Sequence, residues 1–260
     1  MDVLTPRNLD EALRLKAEQP DAVPIQGGTD LMVELNFDRA RPVALLNLNE
    51  VAELRGWSRH DGTVRLGSGL TYAEAMEQPL AEALPALAEA SRTVGGPQIR
   101  NRGTIGGNLG TASPAGDALP PLLVCDAEVQ IASVHGERTV PLSEFLLGPK
   151  RNVLAEDELI LGVSVDATES RQTFMKVGPR NAMVIAVVSL AVRVDSELRA
   201  AFGSAGPVPT LVRADLGDAD SFAQRVAEAA NPIDDVRGTA SYRRHALRIL
   251  TRRALDRCLV

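Results

Sequence analysis

A chain of 260 residues has room for one large domain or two modest ones, with a sizeable buried core. Hydrophobic residues at 45% and charged residues at 24% are ordinary for a globular protein and exclude a disordered one. A net charge of −6 with only 3% aromatic residues removes both the basic face and the stacking platform that a nucleic-acid partner needs.

The chain starts Met-Asp-Val-Leu-Thr-Pro-Arg, without the basic and then apolar regions of an export signal, so a cytoplasmic protein is expected. Asn8 followed by Glu11 forms a capping box that opens a helix with Leu9, Ala12 and Leu13 on one face. Ala22-Val-Pro-Ile-Gln-Gly-Gly is a short strand entering a glycine turn, and Val43-Ala-Leu-Leu-Asn-Leu is a buried strand, which together suggest a βαβ-like start. Val64-Arg-Leu-Gly-Ser-Gly predicts another strand, and Thr71 with Glu74 a second capping box on a helix that Pro79 ends. An Ala/Leu-rich helical stretch from Leu80 to Thr93 is broken at Pro85 and gives way to a glycine-dense segment, 95–116. Period-two patterns then predict strands at Glu128-Val-Gln-Ile-Ala, Arg138-Thr-Val-Pro-Leu and Glu158-Leu-Ile-Leu-Gly-Val-Ser-Val. The composition turns polar at Ala167-Thr-Glu-Ser-Arg171, where a domain boundary is placed.

Beyond that boundary, Thr173 to Val177, Val184 to Val194 and Leu198 to Phe202 are predicted strands. The longest apolar run, Met183 to Val192, is about half the roughly 20 residues that cross a bilayer, so no membrane span is expected. A final helix from Ser241 to Leu259, capped by Ser241, carries Ala246, Ile249, Leu250, Ala254 and Cys258 along one side. Its basic residues, Arg243, Arg244, His245, Arg248, Arg252, Arg253 and Arg257, form either a solvated face or a docking face for an acidic partner. Cys125 and Cys258 stand alone, and His60, His135 and His245 are scattered, so no iron–sulfur cluster or zinc site is expected within this chain.

Two segments concentrate flexible residues. In Ile25-Gln-Gly-Gly-Thr-Asp-Leu-Met32, glycine at 27 and 28 lets consecutive N–H groups converge on an anion, Thr29 adds a hydroxyl, and a helix starting near Asp30 would add its dipole. The same turn equally serves a strand-to-helix junction with no ligand. The second segment, 98–117, sets Gly103, Gly106, Gly107, Gly110 and Gly116 among Thr104, Asn108, Thr111, Ser113 and Asp117, a composition suited to a pyrophosphate and a ribose. No Gly-x-x-x-x-Gly-Lys-Ser/Thr motif is present, which excludes a Walker A nucleotidase. Gly67-Ser-Gly69-Leu-Thr-Tyr72 has tyrosine where a dinucleotide fingerprint has its third glycine, and is a strand end.

Gln-Gly-Gly-Thr-Asp-Leu at 26–31, Gln-Ile-Arg-Asn-Arg-Gly-Thr-Ile-Gly-Gly-Asn-Leu at 98–109 and Ala-Ser-Pro-Ala-Gly-Asp at 112–117 resemble the FAD-binding medium subunit of the molybdenum hydroxylases, the xanthine dehydrogenase and aerobic carbon monoxide dehydrogenase family. The resemblance continues through Phe145-Leu-Leu-Gly-Pro149, Asp157-Glu-Leu-Ile160, Phe174-Met-Lys176 and Ser241-Tyr-Arg-Arg-His, and so covers essentially the whole chain. It implies an α+β fold: an FAD-binding domain of the vanillyl-alcohol-oxidase (PCMH) type over 1–168, with two α/β subdomains of about 1–56 and 57–168, and a C-terminal domain over 169–260 with a three-stranded antiparallel sheet.

The resemblance also implies roles. Gln26, Gly27, Gly28, Thr29, Asp30, Leu31 and Met32 would wrap the pyrophosphate, and Thr104, Gly107 and Asn108 would line the cofactor. Ser113 and Asp117 would hold the ribityl or ribose region, Ile160 or Leu161 would touch the ring, and Lys176 at the ring edge would stabilise the charge that reduction creates. With no histidine near 22–32, the FAD is expected to be noncovalent. Substrate oxidation would belong to a molybdopterin-binding large subunit and electron supply to a [2Fe–2S] small subunit, in a dimer of heterotrimers, with NAD, oxygen, a quinone or another carrier as acceptor. The alternatives from the residues are a stand-alone FAD oxidoreductase and a flavin-free scaffold.

Overall fold

The computed structural model describes residues 1–259. Its first subdomain alternates strand and helix: β1 (Asp2–Leu4), α1 (Leu9–Glu18), β2 (Val23–Ile25), α2 (Leu31–Asn36) and β3 (Ala44–Asn47). The strands form a parallel sheet in the order β1-β3-β2. The α1 capping box is formed, with the Glu11 N–H donating to Asn8 Oδ1 at 2.9 Å and the Arg7 N–H to Glu11 Oε2 at 2.8 Å. Lys16 on α1 is buried, and its ammonium donates to the Pro20 and Ala22 carbonyls, which closes the turn into β2. Burial holds its pKa below the ordinary value.

The second subdomain opens with β4 (Trp57–His60) and β5 (Thr63–Gly67), followed by α3 (Leu80–Ala83), α4 (Pro85–Thr93), α5 (Pro97–Arg100), α6 (Ile105–Thr111) and α7 (Leu119–Val124). Then come β6 (Glu128–Ser133), β7 (Gly136–Pro141), α8 (Leu142–Phe145), the small hairpin β8 (Leu146–Gly148) and β9 (Arg151–Asn152), and β10 (Leu159–Asp166). Five strands pair in the order β4-β5-β10-β6-β7, so β10 returns late in sequence to the middle of the sheet. The second capping box is also formed, Glu74 Oε2 accepting from the Thr71 N–H at 2.7 Å, although only one short 3-10 turn follows it.

The remainder holds β11 (Arg171–Val177), β12 (Val188–Val194), β13 (Glu197–Gly203), β14 (Thr210–Asp215), α9 (Ala219–Ala229) and α10 (Ala240–Leu259). This antiparallel sheet has four strands, β11-β12-β13-β14, and so corrects the expected three. The addition is an edge strand of mostly half-buried residues, which lacks a clear period-two signal. β12 begins at Val188 rather than Val184, because the preceding segment folds back so that Val184 packs over Gly178. α10 is capped by Thr239, whose Oγ1 accepts from the Tyr242 N–H at 3.2 Å, not by Ser241. Arg243 is turned inward, 2% exposed and bonded to Ser204 and Asp235, while Arg244, His245, Arg252, Arg253 and Arg257 remain on the exposed side.

The largest core cluster runs across residue 168: Phe174, Ala191 and Ala201 pack with Leu119, Leu122 and Leu123 of α7. The C-terminal sheet therefore leans on the second subdomain through a shared apolar core. Among the described residues no helix is long and apolar enough to cross a membrane.

Candidate cofactor-binding site

The two glycine segments meet. The loop after β2 is pressed so closely against the 101–104 segment that a Cβ at Gly27 would lie 2.2 Å from the Arg102 carbonyl oxygen, and only glycine fits there. Arg102 fastens the same contact by donating to the Gln26 carbonyl at 3.0 Å. Gly28 has φ +71, the left-handed region that glycine adopts most readily, and this turns the chain into α2. Among the described residues the N–H groups of Gly28, Thr29 and Asp30 donate to no protein acceptor.

On the other side, Thr104 caps α6, its Oγ1 accepting from the Gly107 N–H at 3.0 Å. Gly107 and Gly110 then give this helix a bare face, since a Cβ at either would meet only Thr104 Oγ1 at 3.1 Å or Ile160 Cδ1 at 3.8 Å. Between the two segments lies a cavity of about 550 Å³, within the roughly 300–1,000 Å³ usual for cofactor sites.

Of the residues expected at a cofactor, Gln26, Gly27, Gly28, Thr29, Asp30, Leu31, Thr104, Gly107, Asn108, Ser113, Asp117 and Ile160 line this cavity. Met32 instead faces an adjoining groove with Val3, Leu45 and Arg102. Of Ile160 and Leu161 only the first lines the cavity; β10 is irregular here, its register against β6 shifting between Ile160 and Gly162, and Leu161 is buried in the core between the first subdomain and the sheet. Lys176 stands behind the wall. Its side chain is 6% exposed, and its ammonium donates to Asp117 Oδ2 at 2.5 Å and to the Thr93 carbonyl at 3.4 Å. Gly110 of the second glycine segment lines the cavity too, as do Ser68, Glu34 and Glu158, which are not among the residues the sequence assigns to it. For Ser68 the signal was the Gly67-Ser-Gly69 triplet, which places it opposite Gly106, whose Cβ would fall 2.5 Å from Ser68 Cβ.

The electrostatics are layered. Among the described residues Asp30, Glu34, Asp117 and Glu158 are the charged residues of the wall, and no lysine or arginine lines it. Cations stand one layer out, with Lys150 on Glu34 at 2.9 Å, Arg138 on Glu158 at 2.6 Å and Lys176 on Asp117. Arg138 holds the Glu158 carboxyl below its ordinary pKa, whereas burial pushes that of Asp117 up despite Lys176. An anion here is therefore held by backbone N–H groups and not by ion pairs.

Three buried side-chain atoms at this wall have no hydrogen-bond partner: Asn108 Oδ1, Asp117 Oδ1 and Ser68 Oγ. Orphaned buried acceptors are rare because each costs about 1–3 kcal/mol. Carried by residues that line a cavity, they are complementary to hydroxyl and ring N–H donors. Free N–H groups on one wall, acceptors on the other and a side-chain-free helix face between them fit the diphosphate, the ribityl and ribose hydroxyls and the flat body of FAD.

The family described as the FAD binding domain in molybdopterin dehydrogenase matches residues 1–166. The xanthine dehydrogenase FAD-binding subunit of Escherichia coli is 30% identical over 269 residues, spanning 95% of this chain and 92% of that protein. The nicotinate dehydrogenase FAD-subunit of Eubacterium barkeri is 35% identical over 204 residues, 75% of this chain and 69% of its own length. In structure the chain superposes on a carbon monoxide dehydrogenase from Hydrogenophaga pseudoflava that lacks the Mo-pyranopterin moiety of its cofactor, with a TM-score of 0.91 at 26% identity over 100% of this chain and 97% of that one. The chain, an FAD-binding oxidoreductase subunit of α+β fold, therefore belongs to the molybdopterin-dehydrogenase FAD-binding family.

Proposed function

We propose that this chain is the electron-transferring flavoprotein of a heteromeric molybdenum hydroxylase: it takes electrons from [2Fe–2S] clusters of a small subunit and passes them through noncovalent FAD to an external acceptor such as NAD, oxygen or a quinone. The observation that carries the reading is the pairing of free loop N–H groups with orphaned acceptors across one cavity. Bound FAD would supply reversible two-electron redox chemistry, and the protein its binding, orientation and electrostatics.

In this reading residues 1–168 hold the cofactor. The 26–32 loop cups the diphosphate with its free N–H groups, and Met32 closes the outer side of the loop. Thr104 holds the start of α6 so that Gly107 presents bare backbone. Asn108, Ser113 and Asp117 accept hydrogen bonds from cofactor hydroxyls, and Ile160 packs against the ring, with Leu161 fixing the strand from behind. Lys176, in the C-terminal part 169–260, acts through Asp117 by offsetting a carboxylate that would otherwise face the cofactor uncompensated.

Relatives carry names such as nicotine 6-hydroxylase medium subunit and carbon monoxide dehydrogenase medium chain. By analogy a molybdopterin-binding large subunit and an iron–sulfur small subunit complete this protein's assembly, as a dimer of heterotrimers in the cytoplasm. Purification of the tagged chain from its native host tests this. FAD, molybdenum, iron and acid-labile sulfide should co-elute in one complex that reduces its own flavin when given an oxidisable substrate. A yellow chain that elutes alone and oxidises an organic donor unaided would establish the stand-alone oxidoreductase instead.

A further inference from the structure

The two subdomains that form the cavity are joined very differently at its two ends. At one end the joint is built in. Gly27 lies against the Arg102 carbonyl, and Arg102 donates to the Gln26 carbonyl and, at 3.3 Å, to Asn49 Oδ1 in the turn after β3 of the first subdomain. At the other end, among the described residues, the direct polar contacts are only two, both between side chains. Lys150 donates to Glu34 Oε1 at 2.9 Å, and Thr111 Oγ1 to Asp30 Oδ2 at 3.3 Å. Glu34 and Asp30 belong to α2 and its entry in the first subdomain, Lys150 and Thr111 to the second, and Glu34, Asp30 and Thr111 all line the cavity.

The lysine is delivered to this position by its backbone. Lys150, in the turn between β8 and β9, has φ +57, and Ala112 at the end of α6 has φ +47, a region that residues with a Cβ seldom occupy. The Lys150 N–H donates to the Ala112 carbonyl at 3.0 Å, and Asn152 Nδ2 donates to the Gly110 carbonyl at 3.0 Å. Two left-handed residues thus lock the hairpin onto the end of α6 and send a long cationic side chain across to α2. The Lys150 side chain is 60% exposed and that of Glu34 24%, so the crossing is open to solvent and easily broken.

We propose that Glu34 and Lys150 form a clasp over the open end of the cleft, whose breaking sets how fast the cofactor leaves. It rests on the reading of the cavity as an FAD site and assigns two positioning residues to it. Opening the clasp frees α2 and the 26–30 loop to swing on the Gln26–Arg102 joint and uncovers the cavity along its length.

The rate of FAD release from the full chain, followed by flavin fluorescence after dilution into an excess of a tighter flavin-binding protein, tests the clasp. Glu34→Gln is decisive because two effects oppose each other. If Glu34 acted only as a negative charge near a diphosphate, removing it would slow release; as half of a clasp, its loss speeds release by about threefold, the size expected of one exposed ion pair. Lys150→Glu should be faster still, and the double variant Glu34→Lys with Lys150→Glu, which restores the pair reversed, should return to within about twofold of the parent. Release from Glu34→Gln at or below the parent rate overturns the proposal, and so does a double variant as fast as Lys150→Glu alone. Thermal melts of the flavin-free variants that match the parent confirm that the fold is intact. A parent chain that takes up no FAD would overturn the cofactor reading itself, before any variant is compared.

Discussion

Two regions of this molecule bury polar groups, and they do so in opposite ways. Where the C-terminal sheet meets the second subdomain, Arg193 is fully buried and donates to Asp195 at 2.9 Å, to the Asp166 carbonyl and carboxylate at 2.8 and 2.6 Å, and to Thr168 at 2.8 Å. Arg199 beside it engages Glu197, Asp195, Asp126 and the Val124 carbonyl. At the cavity, Asn108 Oδ1, Asp117 Oδ1 and Ser68 Oγ are equally buried and meet nothing. The first region completes its hydrogen bonds within the chain and serves architecture; the second leaves them incomplete and is made for a ligand. The other buried atoms without partners, three serine hydroxyls and Arg243 Nε, are not cavity-lining.

The distinction is open to attack by substitution, beginning with the largest effect. Arg193→Met removes the buried guanidinium and its hydrogen bonds to the half-buried Asp166 and Asp195, so it should lower unfolding stability in urea by about 2 kcal/mol, while the chain that remains folded binds FAD as before. Loss of FAD binding at undiminished stability would erase the contrast. Asn108→Ala should do the reverse. It should weaken FAD binding about tenfold, roughly 1.4 kcal/mol, yet leave the flavin-free chain at least as stable, since an orphaned acceptor is gone and alanine favours the helix. Isothermal titration alongside thermal melts reads both effects. Gly110→Ala sharpens the point in the bare helix face. It gains up to about 1 kcal/mol of helix stability without FAD and should weaken FAD binding by a smaller factor than Asn108→Ala.

The smallest effect is on pH. Lys150 holds the Glu34 carboxyl below its ordinary 4.5, so the stability of this contact is present above that value and is lost as pH falls through the lowered pKa. FAD release measured as pH falls below about 4.5 should therefore accelerate in the parent more than in Glu34→Gln.

Much of this was legible in the sequence where a local rule acts alone. The Asn8–Glu11 and Thr71–Glu74 boxes, the period-two strands and both glycine segments lie where the pattern put them, because capping and pleating involve neighbours in the chain. What the pattern did not carry was direction across the fold. Ile160 and Leu161 are equivalent apolar residues until β10 takes its place in the sheet and sends one to the cavity and the other to the core. Lys176 reads as a ring-edge cation until β11 docks and brings it to the back of Asp117. β14 and α9 carry little sequence signal, because the strand is a half-buried edge and the helix core relies on Phe222, Ala223, Val226 and Ala227, two of them alanines. The clasp joins residues 116 positions apart in sequence and has no local signature.

The central claim, that the incomplete wall is completed by FAD, is tested most directly by the visible spectrum of the chain purified alone, with the supernatant analysed after heat denaturation. The account predicts a yellow protein, or a colourless one that turns yellow on adding FAD, releasing one intact FAD per chain into the supernatant. A folded chain that stays colourless with FAD in excess would contradict it.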